Sequence, residues 1–212
     1  FTKFIDLQGK TDMEAAHLSR ELGIDIAVDL KGHTQEARTG IFAQRAAPIQ
    51  VQYLGYPGTM GADYIAYVIG DRVVIPPGAE GDYSEKVVRL PHNYQPNDSR
   101  RKIAERQFTR AQTGLPPSGF VFCCFNGHRK IVPETFDSWM RILSAVDGSV
   151  LWLLQDSDGS VAALRAQAQA RGVDGTRLIF AGFMKLDEHL ARLRLADLCL
   201  DTAPYNAHTT AS

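Results

Sequence analysis

Residues 120–154, FVFCCFNGHRKIVPETFDSWMRILSAVDGSVLWLL, hold an apolar run, a helix-period segment and a second apolar run. The first run, Phe120–Phe125, is short and β-prone, which predicts a buried strand. In Glu134–Val146 the apolar residues Phe136, Trp139, Met140, Leu143 and Val146 recur at helical spacing. Val150–Leu154 predicts the next strand. Downstream, the pattern continues as helix Val161–Arg171, strand Arg177–Ala181, helix Asp187–Leu195 and strand Leu198–Asp201. Strands alternating with helices of this length predict a parallel sheet with helices on both faces, an α/β fold.

Upstream, the alternation is present but thinner. Met13–Leu22 reads as a helix, with Thr11 and Asp12 as cap candidates and Gly23 as its stop. Strands are predicted at Ile24–Leu30, Ile49–Leu54, Ile65–Ile69 and Lys86–Leu90. The polar stretch Pro91–Arg106 carries Pro96, Asn97, Asp98 and Ser99, and the next unit is expected to start near Thr109. This divides the chain into residues 1–95, a linker at 96–108, and residues 109–212. Phe1 is not an initiator methionine, and the loop after Leu198–Asp201 would ordinarily feed another helix. Both units are therefore expected to be incomplete, and no signal peptide is read.

The composition is ordinary for a globular protein: 212 residues, 44% hydrophobic and 22% charged. Lys and Arg number 23 against 24 Asp and Glu, a net charge of -1, so a nucleic-acid partner is not expected. No apolar run is long enough for a bilayer span, so no membrane partner is expected either. Cys123, Cys124 and Cys199 lack zinc spacing and a disulfide framework, and they read as reduced core cysteines of a cytoplasmic protein. No acidic pair suggests a metal site, and no cofactor is expected.

Ligands of open α/β sheets bind beyond the carboxyl ends of strands. That rule selects loops Lys31–Arg38, Gly55–Gly61, Asn126–Lys130 and Thr202–Thr210. In the last, Asn206, His208, Thr209 and Thr210 gather where a helix should begin, which suits phosphate; the bland alternative is that the threonines only cap that helix. Lys130 could neutralise a leaving group, whereas His128 and Arg129 read as members of a solvated basic loop. Leu54-Gly55-Tyr56-Pro57-Gly58 permits close approach of backbone to a ligand, and is equally readable as a turn. Asp156 and Asp158 read as a solvated turn.

Taken together, several motifs resemble one family. They are Gly32-His33-Thr34 through Arg38, Ala47-Pro48-Ile49-Gln50, Leu54-Gly55-Tyr56-Pro57-Gly58-Thr59, Tyr83-Ser84-Glu85, Phe125-Asn126 with Lys130, Ser149–Leu154, and Ala196–Thr202 through His208-Thr209-Thr210. The chain resembles the protein O-linked N-acetylglucosamine transferases, including the SPINDLY-like members. The resemblance implies a GT-B fold of two Rossmann-like units, with the nucleotide sugar between them. Residues 1–95 would then belong to the acceptor-side unit and 109–212 to the nucleotide-sugar side.

It further implies an inverting, metal-independent transfer of N-acetylglucosamine from UDP-GlcNAc to Ser or Thr hydroxyls of a protein or peptide acceptor. Lys130 resembles the diphosphate lysine, with Asn126 beside it. His208, Thr209 and Thr210 resemble the sugar and phosphate loop, and His189 a histidine near the uridine. Leu54, Gly55 and Pro57 resemble the sugar-pocket lining, and Arg38 an acceptor-side arginine. The expected base lies upstream of Phe1, so the isolated fragment is expected to be inactive. Gly127 stands where relatives often carry an amide, and Leu186 where they carry a lysine, with Lys185 one position away. A donor such as GDP-fucose or UDP-glucose, or an inactive sugar-nucleotide-binding scaffold, are the alternatives.

Overall fold

The structure is a computed structural model, and residues 2–210 are described. The chain divides into two compact units, Phe1–Pro96 and Asn97–Ser212.

The first unit is a parallel sheet in the order β1-β2-β3-β4. Its strands are β1 (Ile26–Asp29), β2 (Ile49–Tyr53), β3 (Tyr67–Gly70) and β4 (Lys86–Arg89). Helix α1 (Asp12–Glu21) precedes them. Its start is a reciprocal cap: Thr11 Oγ1 accepts from Glu14 N at 3.2 Å, and Glu14 Oε2 accepts from Thr11 N at 2.8 Å. Between β1 and β2 lies α2 (Thr39–Ala43), a helix that the sequence reading did not predict. Arg20 ties α1 to its end by donating to the Gln44 and Arg45 carbonyls. Longer connections follow β2 and β3 with only a 3₁₀ turn in them, so side-chain bonds hold them. Asp71, 3% exposed, accepts from Val73 N, Val74 N and Tyr94 N. Burial pushes its carboxyl up, but the three amides outweigh burial and hold it below its ordinary value.

The second unit is also parallel, in the order β7-β6-β5-β8. The elements are β5 (Val121–Cys124), α3 (Pro133–Ala145), β6 (Val150–Leu154), α4 (Asp158–Ala170), β7 (Leu178–Ala181), α5 (Leu186–Arg192) and β8 (Leu198–Cys199). Alternation along the strands feeds two cores. On one face Phe122, Cys124, Leu151 and Leu153 pack against Phe136, Trp139, Met140 and Leu143 of α3 and Ala168 of α4. On the other, Cys123, Phe125 and Trp152 pack against Leu193, Leu195 and Ala196 after α5. Helical elements thus cover both faces. Truncating a fully buried leucine such as Leu151 to alanine would cost ~2–5 kcal/mol.

Several expectations need correction. The strands are mostly shorter than predicted; β8 ends at Cys199, and Leu200–Asp201 turn into the following loop. Asp158 begins α4, whose cap is Ser157 accepting from Ser160 N, so this stretch is a helix start. Cys123 and Cys124 are buried, but Cys199 is exposed because β8 is an edge strand among the described residues. Residues 90–108 contain no helix or strand, yet Ala104 N donates to Asp187 O and Arg106 pairs with Glu188 at 3.3 Å.

Candidate functional site

The strand order of the second unit selects one place. The chain moves outward from β5 through β6 to β7, then returns to the opposite side of β5 with β8. Loops leaving β5 and β8 therefore diverge at a topological switch point, where a crevice forms at the carboxyl edge. These are the loops 125–132 and 200–210.

Asp201 organises the second loop. Its Oδ1 accepts from Thr202 N at 2.7 Å, Ala207 N at 2.8 Å and Asn126 Nδ2 at 3.2 Å, and its Oδ2 accepts from Asn206 Nδ2 at 3.1 Å. Thr202, fully buried, donates to Tyr205 O and accepts from Asn126 Nδ2 at 2.8 Å. From α3, Thr135 Oγ1 donates to Ala203 O at 2.8 Å. Asn126 is 3% exposed, and its Oδ1 has no hydrogen-bond partner among the described residues. A buried acceptor left unpaired is costly, and this one sits at the switch point.

Lys130 meets the same loop. Its Nζ donates to Asn206 O at 2.8 Å and lies 4.8 Å from the centroid of the Tyr205 ring. Tyr205 is 59% exposed, and its ring centroid is 6.3 Å from that of His208. His208 adopts φ 50°, within the 3₁₀ turn His208–Thr210. The helix expected to start at these threonines lies beyond the described residues. Thr210 lines a cavity of about 320 Å³ together with His189, Phe125, Cys123 and Cys199. Asn126 and Lys130 thus join the 201–210 loop, and His189 shares a cavity with its last described residue.

The basic stretch after β5 divides. His128 is not solvated as expected: its ring nitrogens bond Ser160 Oγ at 2.9 Å and Leu154 O at 2.7 Å, fastening the loop to the end of β6 and the start of α4. Arg129 is exposed, as expected.

His189 has a partner that sequence reading missed. Arg192 Nε donates to His189 Nδ1 at 3.0 Å and its Nη1 donates to Gly182 O at 2.8 Å. Arg192 is 3% exposed, and its guanidinium carbon lies 5.2 and 5.7 Å from the ring centroids of Phe125 and Trp152. Burial first, and then the Arg192 charge, hold the His189 imidazole below its ordinary value. The signal was the i, i+3 spacing of the two residues on α5. Asp201, Thr202, Thr135 and Tyr205 were also missed as site-builders, since their roles depend on a fold-back of the loop.

In the first unit, Leu54, Gly55 and Pro57 share one loop after β2. Leu54 adopts φ 74°. A Cβ on Gly55 would collide with the Leu30 carbonyl, so only glycine allows this approach to β1. Buried Gln52 donates to Tyr56 O and to Gly58 O, and Tyr83 OH donates to Pro57 O at 2.8 Å. Burial, then nearby Asp82 and Glu85, push the Tyr83 phenol up. Glu85, 4% exposed, accepts from Met60 N at 2.7 Å and from Thr59 Oγ1 at 2.8 Å. Arg38 donates to Asp12, Leu7 O and Lys10 O, clamping the segment before α1.

Among the described residues no group of three or more His, Cys, Asp or Glu could hold a metal ion. No helix there is long and apolar enough to cross a membrane.

Known proteins of similar sequence and shape agree with one another. The model of "Glycosyl transferase family 41" matches residues 1–107 and 102–212. The chain is 40% identical over 212 residues to the probable UDP-N-acetylglucosamine–peptide N-acetylglucosaminyltransferase SEC of Arabidopsis thaliana, covering 98% of this chain and 22% of that protein. To the probable transferase SPINDLY of Solanum lycopersicum it is 32% identical, over 97% of this chain and 22% of that protein. In structure it is similar to a mutant O-GlcNAc transferase of Thermobaculum terrenum: the TM-score is 0.84 at 35% identity, over 97% of this chain and 39% of that one. The chain thus spans about a fifth of the length of these curated relatives. With the motifs, two parallel α/β sheets and a family match over both units, the chain belongs to glycosyl transferase family 41.

Proposed function

We propose that this chain is part of the catalytic region of an inverting glycosyltransferase that moves N-acetylglucosamine from UDP-GlcNAc to Ser or Thr hydroxyls of a protein acceptor. Residues 109–212 form its nucleotide-sugar side, residues 1–95 its acceptor side, and 96–108 connect them. The observation that carries this reading is the meeting of Lys130 with the 201–210 loop, at the switch point where α/β sheets bind ligands.

The chemistry is an in-line displacement needing no metal. The acceptor hydroxyl attacks the anomeric carbon as a general base takes its proton, the bond from that carbon to the β-phosphate oxygen breaks, and UDP leaves with growing negative charge. The Lys130 ammonium has three N–H donors, of which the Asn206 carbonyl occupies one. The others are available to the diphosphate, where a fixed positive charge favours the transition state over the ground state. Thr209, Thr210 and His208 supply further donors from the loop that Asp201 holds in shape. His189 lines the adjoining cavity on the nucleoside side. Asn126 offers its unpaired oxygen to a donor group of the ligand. Leu54, Gly55 and Pro57 line the sugar pocket, and Arg38 acts on the acceptor side through the segment it clamps.

The test uses the full-length protein. Calorimetric titration with UDP and GDP should show UDP binding at least tenfold tighter. Incubation with UDP-GlcNAc and a Ser/Thr-containing peptide should add one N-acetylhexosamine mass. Preference for GDP would move the assignment to another donor. Binding of UDP without any turnover would leave a scaffold.

A further inference from the structure

A carbonyl oxygen has no proton to give, so a ring nitrogen that meets one must donate. His128 Nε2 lies 2.7 Å from Leu154 O, which places a proton on Nε2. In the neutral ring Nδ1 is then an acceptor, and the Ser160 hydroxyl stands 2.9 Å from it. One nitrogen is thus engaged by the last residue of β6 and the other by the first turn of α4. Ser160 is itself fixed by the reciprocal cap of α4, its Oγ accepting from Ser157 N at 3.2 Å. Phe180 of β7 meets the ring edge to face, with centroids 6.2 Å apart and planes at 71°. The same 3₁₀ turn, His128–Lys130, carries Lys130. Lys130 N donates to Gly127 O and Ile131 N to His128 O, each at 3.0 Å, so both side chains stand on one hydrogen-bonded turn. The Lys130 ammonium reaches Asn206 O in the loop after β8, on the side of β5 opposite to β6.

We propose that His128 is a positioning residue for Lys130: its two ring bonds anchor the turn to β6 and α4, and so fix where the Lys130 ammonium stands against the leaving diphosphate. This rests on the diphosphate reading of Lys130 above and adds to it the residue that holds the charge in place. The physical need is preorganisation. Lysine carries its charge on a flexible four-carbon stem, and a charge that must reorient during the reaction loses much of its value. Asn206 O and the Tyr205 ring restrain the tip of that stem. The root of the stem is set by the turn, and the turn is set by what its other side chains grip. Gly127 has no side chain, and Arg129 is exposed. His128, tied to two elements at once, is the grip.

The experiment uses the full-length protein with UDP-GlcNAc and a Ser/Thr-containing peptide. His128→Phe keeps an aromatic ring against Phe180 and removes both hydrogen bonds. It should lower kcat by about tenfold and change donor KM by less than about threefold, because a misplaced charge is felt most in the transition state. His128→Gln keeps a donor for Leu154 O and should recover roughly a third or more of the native kcat. In a Lys130→Met background His128→Phe should cost less than about twofold, because an effect carried by the ammonium has nothing left to act on. Amide hydrogen exchange in His128→Phe should rise at residues 127–131 and stay native in β5, β6 and α3. If Lys130→Met is impaired, native turnover by His128→Phe overturns the proposal, and so do equal losses with and without the Lys130 charge. Exchange rising through the whole sheet also overturns it, since His128 would then be a fold residue. If Lys130→Met itself turns over normally, the diphosphate reading fails and takes the catalytic role of His128 with it, whatever the exchange at 127–131.

Discussion

Lys130 and Arg129 are neighbours in sequence with different surroundings. Lys130 is held by Asn206 O and the Tyr205 ring, while Arg129 is exposed. Lys130→Met retains most of the stem and removes the charge. In the full-length enzyme it should lower kcat by ~100-fold, about the loss of one preorganised electrostatic partner. Arg129→Ala should change kcat by no more than a few-fold, as for most surface substitutions. Thermal melts of both variants separate lost chemistry from lost fold; near-normal turnover by Lys130→Met would remove the diphosphate role. A second residue-scale prediction concerns Gly55. Gly55→Ala forces its Cβ into the Leu30 carbonyl, a backbone atom that cannot yield cheaply. The expected loss is about 1–3 kcal/mol of stability of the first unit, the usual cost of overpacking, read from its denaturant unfolding curve. An unchanged midpoint would mean that the loop after β2 is free to move.

At the scale of elements, the helices and strands of the second unit were largely legible. Pro133 at the first position of α3, the Ser157 cap of α4 and the apolar strands are local signals. By contrast α2, only five residues long and with no buried residue, carries no periodicity to detect. The 201–210 loop was legible as a motif but not as an object. Its shape depends on four hydrogen bonds to one carboxylate, one of them from Asn126, seventy-five positions away. Asp201→Asn replaces an acceptor oxygen by a donor and sets it against donors already in place. Amide hydrogen exchange should then rise across residues 202–210 while β5 and β6 stay protected. Donor KM should rise by about tenfold, the value of a charged hydrogen bond or two. Exchange spreading through the sheet instead would make Asp201 a fold residue.

Across the whole molecule, the division into two compact units has a thermodynamic consequence. A ligand held by one unit stabilises that unit by RT ln(1 + [L]/Kd), about 2.7 kcal/mol at a hundredfold excess over Kd. UDP at that excess should raise the melting transition of residues 97–212 and leave that of residues 1–96 unmoved, as followed by residue-resolved hydrogen exchange on heating. Protection gained in the first unit alone would put the nucleotide on the wrong side. His189 adds a pH dependence to the second unit. Its folded imidazole titrates below the ordinary value of 6.5, so on acidification the unfolded chain takes up this proton first. Stability is therefore complete above pH 6.5 and is lost as pH falls from there toward the folded value. The midpoint of this unit should be lower at pH 5.5 than at pH 7.5, and the difference should shrink in His189→Gln.

The α/β class, the parallel alternation and the motifs of the family were all readable from the chain, because period and turn chemistry are local properties that each segment carries alone. What only the tertiary structure decided was who meets whom. Strand order put β8 beside β5 instead of β7, and that choice brings Asn126 to Thr202 and Lys130 to Asn206. His128 shows the converse. It reads as solvated in sequence, and its ring bonds Ser160 and the Leu154 carbonyl. Arg192 had no signal beyond its spacing, and only the fold buries it beside two aromatic rings with its Nε against His189. Burial and hydrogen-bond pairing are properties of the folded arrangement, and no window of sequence contains both partners.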